Sequence, residues 1–270
     1  MAARLKSLLK QGRLVRVFLM GQLCQPKLIE MVAWHGGFDA VWFDQEHTGL
    51  TTAQIEDAAR AARGCGIDCF VRLPATDYAA VMRPLEAGAG GVMASMVRSL
   101  RDVENLLNWS KFHPRGQRGV NGSGVDGRYG GYAAADYFRR ANEETFIAVQ
   151  IEHVDALEDV ERIAAVADLD LLFVGPADLS QSMGIPGEWE HPRVWQAIER
   201  VANAAKANRV PWAILPRDAA HARRCVELGC RMLSLGIDTR AFRQGPLIFW
   251  KKCPLDLDMP FHRIYKHAYT

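Results

Sequence analysis

The chain has 270 residues, of which 49% are hydrophobic and 24% charged, enough apolar material for one large core. Its formal net charge of +2 and dispersed basic residues exclude a broad field that would draw it to nucleic acid or a membrane surface. No apolar run is long enough to span a bilayer, so neither nucleic acid nor membrane is an expected partner.

Residues 1–10 lack the apolar core and cleavage site of a signal peptide. They predict a short surface helix with Leu5, Leu8 and Leu9 on one face. Strand-like runs follow at 14–20, 39–43, 68–73, 91–97, 146–151, 169–174, 210–215 and 231–235. Helical patterns lie at 26–35, 52–63, 78–87, 100–111, 154–166, 192–207, 218–228 and 238–249. This alternation predicts an α/β fold with a parallel sheet covered by helices. Eight strands in this length favour a closed (β/α)8 TIM barrel over an open doubly wound sheet. Thr51 to Gln54 reads as a helix cap, Pro192 suits a first helical turn, and Gly88 to Gly91 and Gly229 read as helix stops. One barrel domain is expected over 1–250.

Two stretches break the rhythm. Residues 113–145 are too long for a simple connection and carry six glycines between 119 and 131. In a barrel this segment would follow strand four on the active face, as a lid or an interface loop. The string Gly122 to Gly127 matches GxGxxG, but no strand leads into it and no clear helix opens from it, so a dinucleotide site is rejected. The tail, 251–270, holds Phe261, Tyr265 and Tyr269, which suit docking on this or a neighbouring subunit; a frayed end is the alternative. Six cysteines form no close CxxC pair and read as small buried hydrophobes. With no export signal, reduced thiols and a cytoplasmic location are expected. Trp189, Trp195 and Trp212 are assigned to packing.

Barrel enzymes carry their chemistry at the C-terminal ends of strands. Strand two ends in Asp44, Gln45, Glu46 and His47. Strand three carries Arg72, strand five carries Gln150 and Glu152, and strand six leads through Gly175, Pro176 and Ala177 to Asp178. A carboxylate ending a buried strand is costly unless it is paired, hydrogen-bonded or bound to metal. Glu152 and Asp178 would converge as hard oxygen ligands for Mg²⁺ or Mn²⁺. His47 suits a general base with Asp44 fixing its tautomer; the alternatives are a histidine held by a loop carbonyl and an aspartate capping the turn. Arg72 must meet an anion, either a developing enolate or a structural partner such as Asp44. Gln150 and Glu152 share a face of strand five, with His153 pointing away. The amides of Ala177 and Asp178, at a helix start freed by Gly175, suit a substrate carboxylate. No lysine stands at a strand exit, which disfavours a Schiff base.

These motifs, in this order, resemble the class II pyruvate aldolases of the HpcH/HpaI type, which cleave 4-hydroxy-2-oxo acids. The matching strings are Gly37 to Asp44 with Glu46 and His47, Val71 to Pro74, Gly116 to Gly119, Val149 to Glu152, Phe173 to Ser180 and Gly236 to Thr239. The resemblance implies a (β/α)8 barrel of the phosphoenolpyruvate/pyruvate type, with its last helix exchanged between subunits of a homo-oligomer, a trimer or a hexamer built as a trimer of dimers. It implies Glu152 and Asp178 as ligands of Mg²⁺, Mn²⁺ or Co²⁺. His47 would be the base, acting through a metal-bound water with Asp44 as partner, and Arg72 the enolate stabiliser. Gln150, Gly175, Ala177, Asp178 and Leu215 would line the substrate, a 2-oxo acid with an aldehyde. Departures occur at Ser95, where many members have proline, at Leu19, where several have tryptophan, in the glycine-rich segment, and in the end of strand seven, Ala213 to Pro216. They bear on the aldehyde. Alternatives are a CoA-thioester lyase like the citrate lyase β-subunit, which would want a basic patch, and a non-catalytic ligand-binding barrel.

Overall fold

The computed structural model describes residues 3–252. Eight parallel strands close into one barrel in chain order: β1 (Val15–Met20), β2 (Ala40–Asp44), β3 (Asp68–Pro74), β4 (Gly91–Ser95), β5 (Phe146–Ile151), β6 (Leu171–Val174), β7 (Trp212–Ile214) and β8 (Met232–Ile237). The helices are α1 (Ala3–Lys10), α2 (Pro26–His35), α3 (Thr52–Gly64), α4 (Tyr78–Glu86), α5 (Leu100–Ser110), α6 (Ala134–Glu144), α7 (Val154–Glu158), α8 (Val160–Ala164), α9 (Pro176–Ser182), α10 (Pro192–Asn208), α11 (Ala219–Glu227) and α12 (Asp238–Lys252). The predicted TIM barrel is therefore the fold. The barrel unit is Met1–Asp238; a second unit begins at Thr239 and carries most of α12. Residues 253–270, most of the tail expected to dock, lie outside the described residues.

Alternation along each strand sorts its side chains into two cores. Val41, Phe43, Val71, Leu73, Val92 and Ala94 pack outward against the helices. Val15, Val17, Ala40, Trp42, Phe70, Met93, Phe146, Ala148 and Phe173 fill the interior. The interior is aromatic at its centre: Trp42 stacks on Phe70 with ring centroids 6.2 Å apart, and Phe70 meets Phe146 at 5.2 Å. From α1, Leu5 and Leu9 join this inner cluster and close the N-terminal end of the barrel. The side chain of Trp42 is anchored to β8, one strand beyond β1, its Nε1–H donating to Ser234 Oγ at 3.0 Å.

Local signals explain most boundaries. Thr51 and Gln54 form a reciprocal capping box on α3, and Ser99 and Asp102 another on α5. Three expectations are corrected. The helix expected at 154–166 is two short helices, because Asp159 leaves helical geometry at φ −97°, ψ 6°. Strand four stops at Ser95, since Met96 takes a left-handed backbone with φ 52°. The segment 113–145 ends in α6 and does not begin on the active face, because α5 first carries the chain down to the N-terminal end. Its glycine-rich part is held along α4, with Asn121 Nδ2 donating to Glu86 and the Gly119 N–H to Tyr78. The buried Asp126 accepts from both Arg118 and the Tyr137 hydroxyl. Cys24, Cys69, Cys225 and Cys230 are free and buried, as expected of small hydrophobes.

At the strand starts, Lys6 pairs with Asp170 at 3.0 Å, and Lys111 is fully buried. Lys111 Nζ donates to the carbonyls of Asn142 (2.8 Å) and Thr145 (3.0 Å). Burial, and then the neighbouring charge of Lys6, hold its pKa down at about 7. In the unfolded chain an ordinary lysine keeps its proton to about pH 10.4. Between these values the unfolded state binds the extra proton, so this group makes stability rise with pH from about 7 to about 10. Lys111→Met should remove that slope, so wild type should gain melting temperature relative to the variant between about pH 7 and about pH 9.5. Arg115 and Lys6 still reach the two carbonyls, so the variant should fold. A difference that does not vary with pH would show that Lys111 stays charged in the fold.

Candidate active site

The exits of β2, β3, β5 and β6 bring the expected side chains to one end of the barrel. Asp44, Arg72 and Gln150 occupy inward positions, and Glu152 follows β5 directly. All four are at least nine-tenths buried. Arg72 grips Asp44 with a forked pair, Nε to Oδ1 at 3.0 Å and Nη2 to Oδ2 at 2.6 Å. Its third arm, Nη1, lies 3.2 Å from Glu46 Oε2. The guanidinium sits over the Trp42 ring, 5.1 Å from its centroid, so the aromatic core is the platform for the arginine.

Asp44 also organises the loop after β2. Its Oδ1 accepts the backbone N–H of Glu46 at 3.0 Å and that of His47 at 3.4 Å, and its carbonyl accepts the Thr48 hydroxyl. The expected pairing of Asp44 with the His47 ring is thereby redistributed. Asp44 is a strand residue whose side chain points into the barrel, whereas His47 stands on the loop with 60% of its side chain exposed. The carboxylate beside the imidazole is that of Glu46, whose Oε2 lies 3.5 Å from Nε2.

Glu152 is 1% exposed and accepts the Met96 N–H at 2.7 Å. Its pKa is raised to about 7, first by burial and then by the charges of Glu46 and Asp178, against the lowering effects of the Met96 hydrogen bond and Arg72. Asp178 is half-buried in the first turn of α9. Gly175 is needed beside Glu152: a Cβ there would meet the Glu152 carboxylate and stand 2.8 Å from its Cβ. Ala177, next to Asp178, is exposed, and Leu215 packs half-buried at the rim of the inner cluster. His153 turns away, its Nδ1 accepting the Asp155 N–H at the start of α7.

The donor set fits a divalent cation. Two carboxylates converge, one is buried without a cationic partner of its own, and its charged form is suppressed first by burial and then by neighbouring acids. Among the described residues no group of three or more His, Cys, Asp or Glu side chains could enclose a metal. A two-carboxylate site suits Mg²⁺, which retains water and takes substrate oxygens. Two buried polar atoms beside it, Ser95 Oγ and Gln150 Oε1, have no protein partner, which suits a floor that meets a ligand or water.

Several contributors were not legible in the sequence. Met96 aims its amide at Glu152 through a left-handed backbone that no glycine announces. Ser234 steadies Trp42 from β8. Asp238 ties down the loop after β1 by accepting the N–H groups of Gly21 (2.8 Å) and Leu23 (2.7 Å). For Asp238 a signal existed, an acid after a strand in Gly236 to Thr239.

Comparison with known proteins agrees with this architecture. The HpcH/HpaI aldolase/citrate lyase family matches residues 16–245. The chain is 33% identical to a hydroxypyruvate/pyruvate aldolase from Pseudomonas aeruginosa over 240 residues, 87% of each chain. It is 32% identical to a 5-keto-4-deoxy-D-glucarate aldolase from Shigella boydii over 209 residues, 77% of this chain and 80% of the other. The crystal structure of an HpcH/HpaI aldolase from Desulfitobacterium hafniense superimposes with a TM-score of 0.86 at 33% identity, covering 92% of this chain and 95% of that one. The chain belongs to the HpcH/HpaI aldolase/citrate lyase family and is a lyase of the aldolase type.

Proposed function

We propose that the protein is a divalent-metal-dependent aldolase that reversibly cleaves a 4-hydroxy-2-oxo acid to pyruvate, or a related 2-oxo acid, and an aldehyde. The observation that carries the reading is the convergence of Glu152, Asp178 and Arg72 at one barrel mouth, with the pKa of Glu152 raised to about 7. Glu152 and Asp178 would hold Mg²⁺, Mn²⁺ or Co²⁺, which as a Lewis acid polarises the 2-oxo acid's carbonyl. The amides of Ala177 and Asp178 seat the substrate carboxylate, with Gln150 beside the bound acid and Leu215 at the rim. His47 takes the C3 proton. Arg72 stabilises the enolate oxygen: of its five N–H groups, one on Nη1 and one on Nη2 remain after Asp44 and Glu46 are served. A CoA-thioester lyase would need free cations at the mouth for a nucleotide, whereas Arg72 is committed to two carboxylates.

The protein further acts as a homo-oligomer. Met31 and Trp34 on α2 are 62% and 77% exposed, and Leu235 on β8 is 47% exposed. Large apolar groups left exposed mark an association surface. Trp34→Glu combined with Leu235→Lys should lower the mass seen by size exclusion with light scattering; a monomeric wild type would overturn the assignment.

Chelation should abolish cleavage, and Mg²⁺, Mn²⁺ or Co²⁺ should restore it. The metal-free protein offers a second readout. A carboxyl with a raised folded pKa binds its proton more tightly when folded, so this group makes stability fall as pH rises from about 4.5 to about 7. In chelator, Glu152→Gln should melt above wild type at pH 8, and that advantage should be absent at pH 4.5. Added Mg²⁺ should raise the melting temperature of wild type and not of the variant. Full turnover in excess chelator would remove the metal from the reading.

Arg72→Lys keeps the charge and loses the fork. It should lower kcat by on the order of 10²–10³-fold with metal affinity little changed. His47→Ala should bind metal yet lose exchange of pyruvate C3 protons with D₂O by on the order of 10²–10⁴-fold. Near-normal kcat in the first, or normal exchange in the second, would reassign that residue.

A further inference from the structure

We infer that Glu46 is a shared positioning carboxylate, tied to Arg72 in the free enzyme and released to His47 when a 2-oxo acid engages the arginine; this rests on the aldolase reading above. Three observations carry it. Asp44 is saturated: both its oxygens are taken by Arg72, and Oδ1 also accepts the N–H groups of Glu46 and His47. Glu46 is the carboxylate beside the imidazole, and the same oxygen, Oε2, lies 3.2 Å from Arg72 Nη1 and 3.5 Å from His47 Nε2. Its side chain is 12% exposed, so the charge is poorly screened.

The two contacts differ from the Arg72–Asp44 fork in kind. The fork is short and bidentate; those of Glu46 are single and longer. An enolate oxygen that accepts from the two remaining N–H groups of Arg72 partly neutralises the guanidinium and loosens its hold on Glu46, the weaker of its two partners. Glu46 then turns to His47 Nε2 alone. With Nε2–H facing Glu46, the lone pair of Nδ1 is the proton acceptor. The C3–H bond breaks, its electron pair becomes the enolate, and the proton goes to Nδ1. The resulting imidazolium is paired with Glu46, while the enolate charge is paired with Arg72. One carboxylate thus leaves the cation as the new anion forms, and joins the new cation as it forms.

The test uses Glu46→Gln, Glu46→Asp and the full-length protein. The charged groups facing this imidazole and its partner Glu46 are Arg72, Asp44 and Glu152. The His47 ring ¹⁵N resonances, identified by their loss in His47→Ala, are compared with and without pyruvate and Mg²⁺. In wild type the ligand should move the Nε2 resonance as Glu46 turns onto it; in Glu46→Gln that movement should be lost, and in Glu46→Asp, which keeps the charge but shortens the reach, it should be reduced. No movement in wild type, or the same movement in Glu46→Gln, would overturn the inference. With Mg²⁺ and pyruvate in D₂O, Glu46→Gln should lower the maximal C3 exchange rate at least tenfold with KM and Mg²⁺ affinity within about threefold of wild type, and Glu46→Asp should recover part of the loss. Loss confined to KM would also overturn it, making Glu46 a substrate contact. Absence of exchange in wild type would instead count against the aldolase reading, while the Nε2 resonance still decides whether Glu46 moves onto His47.

Discussion

The site is built on the forked ion pair between Arg72 and Asp44. Two opposite charges buried this deeply contribute little net stability, because desolvation offsets most of their attraction. What the pair provides is position. Each partner needs the other, so neither can relax out of the barrel without leaving an uncompensated charge. From above, the loop carrying Glu46 and His47 is hung on Asp44 through two backbone N–H groups and the Thr48 hydroxyl. From below, the guanidinium rests on Trp42, whose indole is pinned to Ser234 on β8. A path of contacts therefore runs from β8 through the barrel interior to the proposed base.

Around that pair the charges do not balance. Asp44, Glu46, Glu152 and Asp178 gather at the mouth with one guanidinium, and Glu152 responds by keeping its proton up to about pH 7. The Met96 amide and the missing Cβ of Gly175 hold the carboxylate where a cation could meet it. The two ends of the barrel differ in this respect. At the strand starts, Lys6 has Asp170 and Lys111 has two carbonyls. At the strand exits, a left-handed non-glycine residue, unpartnered Ser95 and Gln150 atoms and a suppressed carboxylate occur together. A suppressed carboxylate beside unmet polar groups is what a site for an incoming charged ligand requires.

The barrel was legible because its signal is periodic. Apolar runs at strand length alternate with helical patterns, and eight such pairs leave one common closed solution. What failed was local. Asp159 divides a helix that the apolar period carries through without a break. The glycine-rich segment looked like a lid because its place in the chain says nothing of α5 having already returned to the opposite end. The site acids, the arginine and the histidine were legible as polar residues where buried strands end. Their partners were less so, since contact depends on which way a side chain faces.

Asp44 and Glu46 show that limit most clearly. In sequence, Asp44 stands three residues before His47 and looks like its natural partner. In the fold, β2 is still extended at Asp44, so the carboxylate points into the barrel toward Arg72, and only the backbone of His47 comes within reach. Glu46 lies beyond the strand, where the loop turns its side chain back over the same arginine and beside the imidazole. The end of the strand thus separates two carboxylates two positions apart into different duties. The inward one is short, doubly bonded and fixed; the loop-borne one is singly bonded at each end. A proton-transfer site needs both, because a carboxylate rigid enough to hold the arginine in place is not free to follow the charge when it moves.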